Sequence, residues 1–271
     1  IVATFHRSGP SKSYEYFNKP ARWVANRVEV NCAVSEEAAV TARNALGGDY
    51  EILFNGIELD RYSLKVPKQA KRSIFFVGRH EPRKGLEVLI RSMRFLPDEV
   101  KLWIASDGPD TNRLQKATED DSRIEWLGRI SEEEKIERLQ KCSLFCAPSL
   151  GGESFGIVLL EAMASGALVV ASDIPGYSKL TRGGKDALLF KAGDSTALAK
   201  ALEKGLYEPW ASQTIVQSAM LRAKEFSMVE LAERYIQIYQ KAIALTPTVP
   251  LAKGRQFFTQ RALNSKNFRM K

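Results

Sequence analysis

The chain has 271 residues, of which 44% are hydrophobic and 27% charged, the balance of a globular protein with a real core. No run approaches ~18 uninterrupted apolar residues, which excludes a membrane-spanning helix in the sequence. The net charge is +8, and Arg234 to Lys271 holds eight Lys/Arg with no Asp or Glu, so anionic partners are favoured without a choice among nucleic acid, lipid headgroups and phosphorylated substrates. Three cysteines, Cys32, Cys142 and Cys146, are an odd count at spacings unlike a disulfide framework or a zinc site, and read as buried reduced thiols. Only two histidines, His6 and His80, are present, which excludes a multi-histidine zinc centre.

The chain opens at Ile1 in what reads as mid-strand, so further N-terminal sequence is expected, and no basic-then-apolar signal peptide is seen. Strands are predicted over 1–5, 28–34, 50–54, 73–78, 100–105, 122–127, 144–147, 168–171 and 187–190. Helices are predicted over 14–25, 36–46, 85–95, 110–117, 132–141, 156–165, 195–206, 211–225 and 228–244. The strands are continuously apolar rather than alternating, as in a parallel sheet covered on both faces. That pattern is an α/β, doubly wound architecture. Ser35 before two glutamates and Ser131 before three are N-caps with acidic first turns, while Gly47-Gly48 and Gly166 stop helices. Asp60 to Arg72, with a proline and several basic residues, reads as a linker. Three strands precede it and six follow.

Residues 146–166 carry the most chemistry. A strand ends at Ala147, a Gly-rich turn follows at Gly151-Gly152, and a helix begins near Phe155. Loop amides and a helix N-terminus beyond a strand's carboxyl end form an anion site. Glu153 in the loop and Glu161 about two turns on can face one groove and accept from sugar or ribose hydroxyls; taken alone, Glu161 reads as an ordinary exposed helix residue. A second segment runs from a strand at Gly78 through Arg79, His80, Glu81, Pro82, Arg83 and Lys84 to a helix after Gly85. His80, between two charged residues, is expected to face solvent. His6 closes a short apolar strand at the end of the sheet that opens to a crevice. Ser172-Asp173 with Ile174-Pro175-Gly176 reads as a helix-capping turn. Ser149 and Ser154 have no His–acid pair beside them and are not nucleophiles.

The Glu153/Glu161 pair, separated by seven residues behind its Gly-rich turn, resembles the glutamate pair of retaining glycosyltransferases of family four, which have the GT-B fold. Gly78-Arg79 with Lys84-Gly85 is similar to that family's Gly-Arg…Lys-Gly signature. Asp107-Gly108-Pro109 matches its Gly-x-Gly-Pro turn in part, with Ser106 where glycine is usual. Trp126-Leu127-Gly128 fits the strand before the loop that holds the base. Thr4-Phe5-His6, Ala33-Val34-Ser35 and Asn55-Gly56-Ile57 follow the order of the end of the family's first domain. Leu150 to Glu161, and Glu81 to Gly85, are most similar to its phosphatidylinositol mannosyltransferase branch.

The resemblance implies one complete Rossmann-like doubly wound domain and the C-terminal remnant of a first one. The expected division is 1–67, 68–225, and 226–271 as a helix crossing back with a basic tail. It implies retaining transfer of a hexose, mannose from GDP-mannose, to a hydroxyl of phosphatidylinositol or a related glycolipid. Enzymes of the same fold using UDP-glucose or UDP-N-acetylglucosamine, and a non-catalytic nucleotide-sugar-binding fragment, stay open. His6, Glu153, Arg79 and Lys84 are then expected to be catalytic. Arg79, Lys84, Gly128, Glu153, Ser154, Phe155, Gly156, Ile157 and Glu161 are expected to hold the donor, with both cations on one diphosphate, Glu161 on the ribose and Glu153 on the sugar. No metal is expected, since no Asp-x-Asp pair lies in a suitable loop and Asp120-Asp121 reads as surface; beyond the nucleotide-sugar donor no cofactor is required. The partners expected are the donor, a lipid or glycan acceptor and the membrane surface, in the cytoplasm or peripheral on the inner face of the membrane. Nucleic acid is not among them, because no basic helix or aromatic platform lies outside the tail. The tail, 251–271, reads as a solvated end.

Overall fold

A computed structural model describes residues 1–6, 9, 18–62 and 72–246. Residues 14–17 of the first expected helix, most of the expected linker and the basic tail lie outside the described residues. Two parallel sheets organise the rest. The first has the order β1 (Val2–Phe5), β2 (Val30–Ala33), β3 (Glu51–Ile52), with Val2 opposite Val30 and Cys32 opposite Glu51. Helices α1 (Asn18–Ala25) and α2 (Glu36–Leu46) accompany it. Ser35 caps α2, its Oγ accepting from the Ala38 amide at 3.2 Å. The face of α2 turned to the sheet is Ala38, Ala39 and Ala42, all buried.

The second sheet has the order β6 (Ile124–Gly128), β5 (Lys101–Ala105), β4 (Ser73–Val77), β7 (Leu144–Ala147), β8 (Leu168–Ser172), β9 (Leu188–Phe190), parallel throughout. Its inner strands are apolar at nearly every position, as in β7 with four buried residues of four, because both faces are covered. Ile74, Phe76, Leu102, Ile104, Leu144, Cys146, Leu168 and Val170 build one core with α4 (Leu86–Ser92) and α9 (Ser195–Tyr207). Phe75, Phe145, Ala147, Val169 and Ala171 point the other way, into a core shared with α7 (Ile157–Ala164) and α10 (Pro209–Lys224). Helices α5 (Thr111–Lys116) and α6 (Glu132–Lys141) follow β5 and β6. Strand order reverses between β4 and β7, and in such sheets the crevice beyond the strands' carboxyl ends at that point binds ligands.

The last helix, α11 (Met228–Leu245), returns to the first sheet. It packs on β1 and β2, buries Leu231, Ile238 and Ala242, and pairs Lys241 with Glu51 of β3. The crossing is fastened by backbone: the Ile57 amide donates to the Phe226 carbonyl at 2.9 Å and the Met228 amide to the Ile57 carbonyl at 3.0 Å. Helix α10 stays with the second sheet, on α7 and β8. No helix among the described residues is long and apolar enough to cross a membrane.

Every expected strand is present. Two short helices differ from expectation. Leu59–Tyr62 (α3) lies at the start of the segment read as linker, and Pro175–Leu180 (α8) where a capping turn was expected. Proline at the first position of α8 lacks only an amide that would be unpaired there anyway. Ser106 takes a left-handed backbone, at φ 85°, of the kind the glycine expected at this position would favour, with its amide on the Gly128 carbonyl at 2.6 Å. A non-glycine residue held there is strained by about 1–2 kcal/mol. Ser106→Gly is therefore expected to raise unfolding stability by about 0.5–1 kcal/mol after the extra unfolded-state entropy of glycine. A urea midpoint that falls or stays put would show the serine to be relaxed.

Candidate active site

The carboxyl ends of β4, β5 and β6 open on a cleft of about 1140 Å³. Its walls are Gly78-Arg79 after β4, Ser106 to Pro109 after β5, Arg129 to Ser131 after β6, and Glu132 and Lys135 of α6. A smaller cavity of about 310 Å³ lies across the β4/β7 reversal, lined by Asn55, Lys84, Ser149, Glu153 to Val158, and Tyr177. Val77 and Val158 line both, so the two make one crevice.

Glu153 anchors the smaller part. Its Oε1 accepts from Lys84 Nζ at 2.7 Å, Arg83 Nη1 at 2.9 Å and Ser149 Oγ at 3.2 Å, and its side chain is 12% exposed. Ser149 also bonds the Tyr177 hydroxyl at 3.0 Å, and burial, with the Glu153 charge, pushes the Tyr177 phenol upward. Lys84 reaches Glu153 because the loop after β4 packs directly on the loop after β7. A Cβ at Gly85, which sits at φ 68°, would lie 1.9 Å from the Pro148 carbonyl oxygen, so only glycine fits. Arg83 spans from Glu153 to Glu81 at 2.8 Å, and Glu81 also faces Arg79 at 3.6 Å.

Glu161, on α7, is 7% exposed. Its Oε1 accepts from the Tyr62 hydroxyl of α3 and from Lys135 Nζ of α6, each at 3.0 Å. Its Oε2 is buried without a hydrogen-bond partner among the described residues. Burial pulls the Lys135 pKa down, but bonds to Glu132 and the Glu161 charge outweigh it and raise the net value, so the ammonium stays charged. Burial and then the Glu161 charge push the Tyr62 phenol up, which keeps it a donor. An unpaired buried acceptor costs ~1–3 kcal/mol. A ligand hydroxyl would relieve that cost.

The sequence pattern of the family described as Glycosyl transferases group 1 matches residues 71–207. Phosphatidyl-myo-inositol mannosyltransferase of Mycobacterium leprae is 33% identical over 250 residues, 89% of this chain and 67% of that protein. The chain belongs to the group 1 glycosyl transferases. The enzyme of the same name from Mycolicibacterium smegmatis is 30% identical over 89% of this chain and 64% of its own length. The chain thus spans about two thirds of the length of these relatives. HepE of Anabaena, solved with UDP-glucose, superposes with a TM-score of 0.76 at 20% identity over 88% of this chain and 71% of that one. Sucrose-phosphate synthase of Thermosynechococcus elongatus gives 0.74 at 23% identity over 90% and 68%. The fold of this glycosyl transferase chain is of the GT-B type.

Of the residues expected from the sequence, Lys84, Glu153, Ser154, Phe155, Gly156 and Ile157 line the smaller part of the crevice, and Arg79 lines the larger. The two cations therefore flank the crevice rather than meet at one point, with the Arg79 side chain 70% exposed. Glu161 lies behind Lys135, and Gly128 joins the wall through its carbonyl on Ser106. His6 is exposed at the end of β1 and lines neither part. His80 corrects an expectation: it does not face solvent but is 0% exposed. Arg83, Lys135 and Tyr62 were not expected. Arg83 sits inside the Gly78–Gly85 signature and could have been read from it. Tyr62 and Lys135 lie 99 and 26 positions from Glu161, with no local pattern to join them.

Proposed function

We propose that this chain carries the donor site of a retaining hexosyltransferase that moves mannose from GDP-mannose to a hydroxyl of phosphatidylinositol or a related glycolipid. The observation that carries the reading is Glu161: a buried carboxylate, oriented by Tyr62 and Lys135, with one oxygen still lacking a donor. A ribose hydroxyl would supply it. Glu153 would accept from the sugar's hydroxyls. Lys84, Arg79 and the amides of Phe155, Gly156 and Ile157 at the start of α7 would hold the diphosphate, since the first amides of a helix have no intrahelical acceptor. Charge grows on the diphosphate as the sugar leaves, and fixed cations and amides aimed at it are the largest catalytic contribution such a site offers. His6, exposed at the carboxyl end of β1, would contact the donor sugar.

Asp107 and Glu132 stand on the wall of the larger cleft. Carboxylates there suit guanine, which presents a ring N–H and an amino group side by side; uracil presents one N–H. The printed name of the M. leprae relative supports mannose and an inositol lipid, while the UDP-glucose bound to HepE supports the alternative donor. The proposed division puts the acceptor side in 1–67, the donor side in 68–225, and the returning helix and basic tail in 226–271. That helix contacts β1 and β2, in keeping with such a division. The tail's lysines and arginines suit an anionic membrane surface.

A thermal-shift panel of GDP-mannose, UDP-glucose and UDP-N-acetylglucosamine tests the donor. A ligand bound only to the folded chain at 100 times its Kd stabilises it by about 2.7 kcal/mol. GDP-mannose is expected to give the large shift; a shift with the UDP-sugars alone would replace the donor, and no shift with any would remove the reading. Lys84→Ala is expected to weaken donor binding roughly ten- to hundredfold, the loss of one charge-assisted contact of ~1.5–3 kcal/mol. Unaltered affinity by calorimetry would take Lys84 off the diphosphate. Transfer by the enzyme is expected to survive EDTA, because Arg79 and Lys84 are fixed counter-charges to the leaving group; loss on chelation that added magnesium or manganese reverses would show a metal requirement.

A further inference from the structure

The loop after β4 and the turn after β5 form two of the walls of the larger cleft, and they are clasped to each other through one residue. The His80 amide donates to the Asp107 carbonyl at 3.0 Å, and the Asp110 amide donates to the His80 carbonyl at 2.9 Å. The backbones touch so closely that a Cβ at Gly108 would lie 2.5 Å from the His80 carbonyl oxygen. The imidazole completes the clasp. Nε2 lies 3.3 Å from the Ala105 carbonyl and Nδ1 lies 2.8 Å from Thr111 Oγ1. Thr111 Oγ1 in turn accepts from the Gly108 amide at 2.8 Å.

This arrangement fixes the tautomer. A carbonyl only accepts, so Nε2 carries the proton. Nδ1 then accepts from the Thr111 hydroxyl, which is left free to accept from Gly108. Every polar atom of the ring and of the hydroxyl is satisfied when the imidazole is neutral. The charged groups nearby are Asp107 and Asp110, held by Arg129 and Arg113 respectively, with Trp126 edge-on at 5.5 Å on the remaining side. Burial pulls the His80 pKa down against the pull of those two aspartates, so the neutral form prevails at pH 7.

We propose that His80 is a positioning residue of the donor site: it clasps the loop that bears Arg79 to the Ser106–Pro109 turn, so that the cation for the donor's phosphates and the wall beneath its nucleoside are held in one fixed relation. This rests on the crevice being the nucleotide-sugar site. His80 itself touches no substrate; its effect passes through Arg79, its chain neighbour, and through Gly108 and Thr111.

The test uses the full chain and calorimetric binding of the nucleotide sugar that shifts the wild type most. His80→Phe keeps the ring's bulk and removes both of its hydrogen bonds. Thr111→Val removes the relay hydroxyl, and Thr111→Ser keeps it. His80→Phe and Thr111→Val are each expected to weaken donor binding about tenfold, the loss of a hydrogen bond or two. Thr111→Ser is expected to stay within about twofold of wild type, since its hydroxyl can still relay from Gly108 to the ring. Imidazole nitrogen shifts are expected to show the Nε2–H tautomer for the buried histidine. Wild-type donor affinity in both His80→Phe and Thr111→Val, with only the urea midpoint lowered, would reduce His80 to a core residue and overturn the proposal. A wild-type chain that binds none of the three nucleotide sugars would instead overturn the site reading, and this inference with it.

Discussion

Glu153→Ala is expected to slow transfer by roughly a hundred- to a thousandfold while leaving nucleoside-diphosphate affinity within about tenfold of wild type. The carboxylate is the meeting point of Lys84, Arg83 and Ser149 on one oxygen, and the other oxygen is the one proposed to take the sugar's hydroxyls. As the bond to the diphosphate breaks, positive charge grows on the sugar's ring, and hydrogen bonds from its hydroxyls to a carboxylate strengthen, worth several kcal/mol in comparable sugar chemistry. Interactions that exist only in that state raise the rate and not the affinity. Glu153→Gln should keep the loop in place, because the amide oxygen can still accept from Lys84 and Ser149, yet lose most of the rate. The pair of variants thus separates charge from shape. Equal losses of nucleoside-diphosphate affinity and of rate in both would move Glu153 from the sugar to the nucleotide.

The second large effect is expected at Glu161, with the opposite division. Glu161→Ala should weaken nucleotide binding on the order of a hundredfold, since a carboxylate bonded to ribose hydroxyls contributes ~1.5–3 kcal/mol for each bond. The ribose is remote from the reacting carbon, so its contacts are equal in ground and transition states, and the turnover number should fall little once the donor is saturating. Folding stability falls too. Lys135 would keep only Glu132 as a partner, and the Tyr62 hydroxyl would lose its acceptor. Removing one member of a buried charged pair costs ~3–5 kcal/mol in the worst case, less here because the second carboxylate remains. Glu161→Gln controls for that, and a large loss of turnover with unchanged nucleotide affinity would contradict the assignment.

The parallel sheet was legible because a strand covered on both faces is apolar nearly throughout, as Ile74 to Val77 and Leu168 to Ala171 are, and such runs are too short for helices. The Gly78–Gly85 loop and the glutamate pair were legible because they lie within short segments. His80 was not. Its sequence neighbours Arg79 and Glu81 are charged and signal exposure, while the groups that meet its ring, Thr111, 31 positions away, and Trp126, lie far along the chain. Glu161 was ambiguous for the reverse reason: α7 is apolar nearly all round, so a lone carboxylate on it could be a surface residue or a buried one, and only the approach of α3 and α6 decides. Helices α3 and α8, with four and six residues, are too short for a period of ~3.6 residues to register.

The return of α11 to the first sheet has a practical side. The polypeptide passes between the two sheets twice, once between Tyr62 and Ser73 and again at Phe226 to Met228, where Ile57 is joined to the segment leading into α11 by backbone hydrogen bonds. Grafting a relative's first sheet onto this second sheet is therefore a two-cut operation. A chimera joined only near residues 63–72 would carry an α11 whose Leu231, Ile238 and Ala242 were shaped for β1 and β2 of a different parent. A chimera that exchanges the segment after Phe226 together with the first sheet keeps that packing whole.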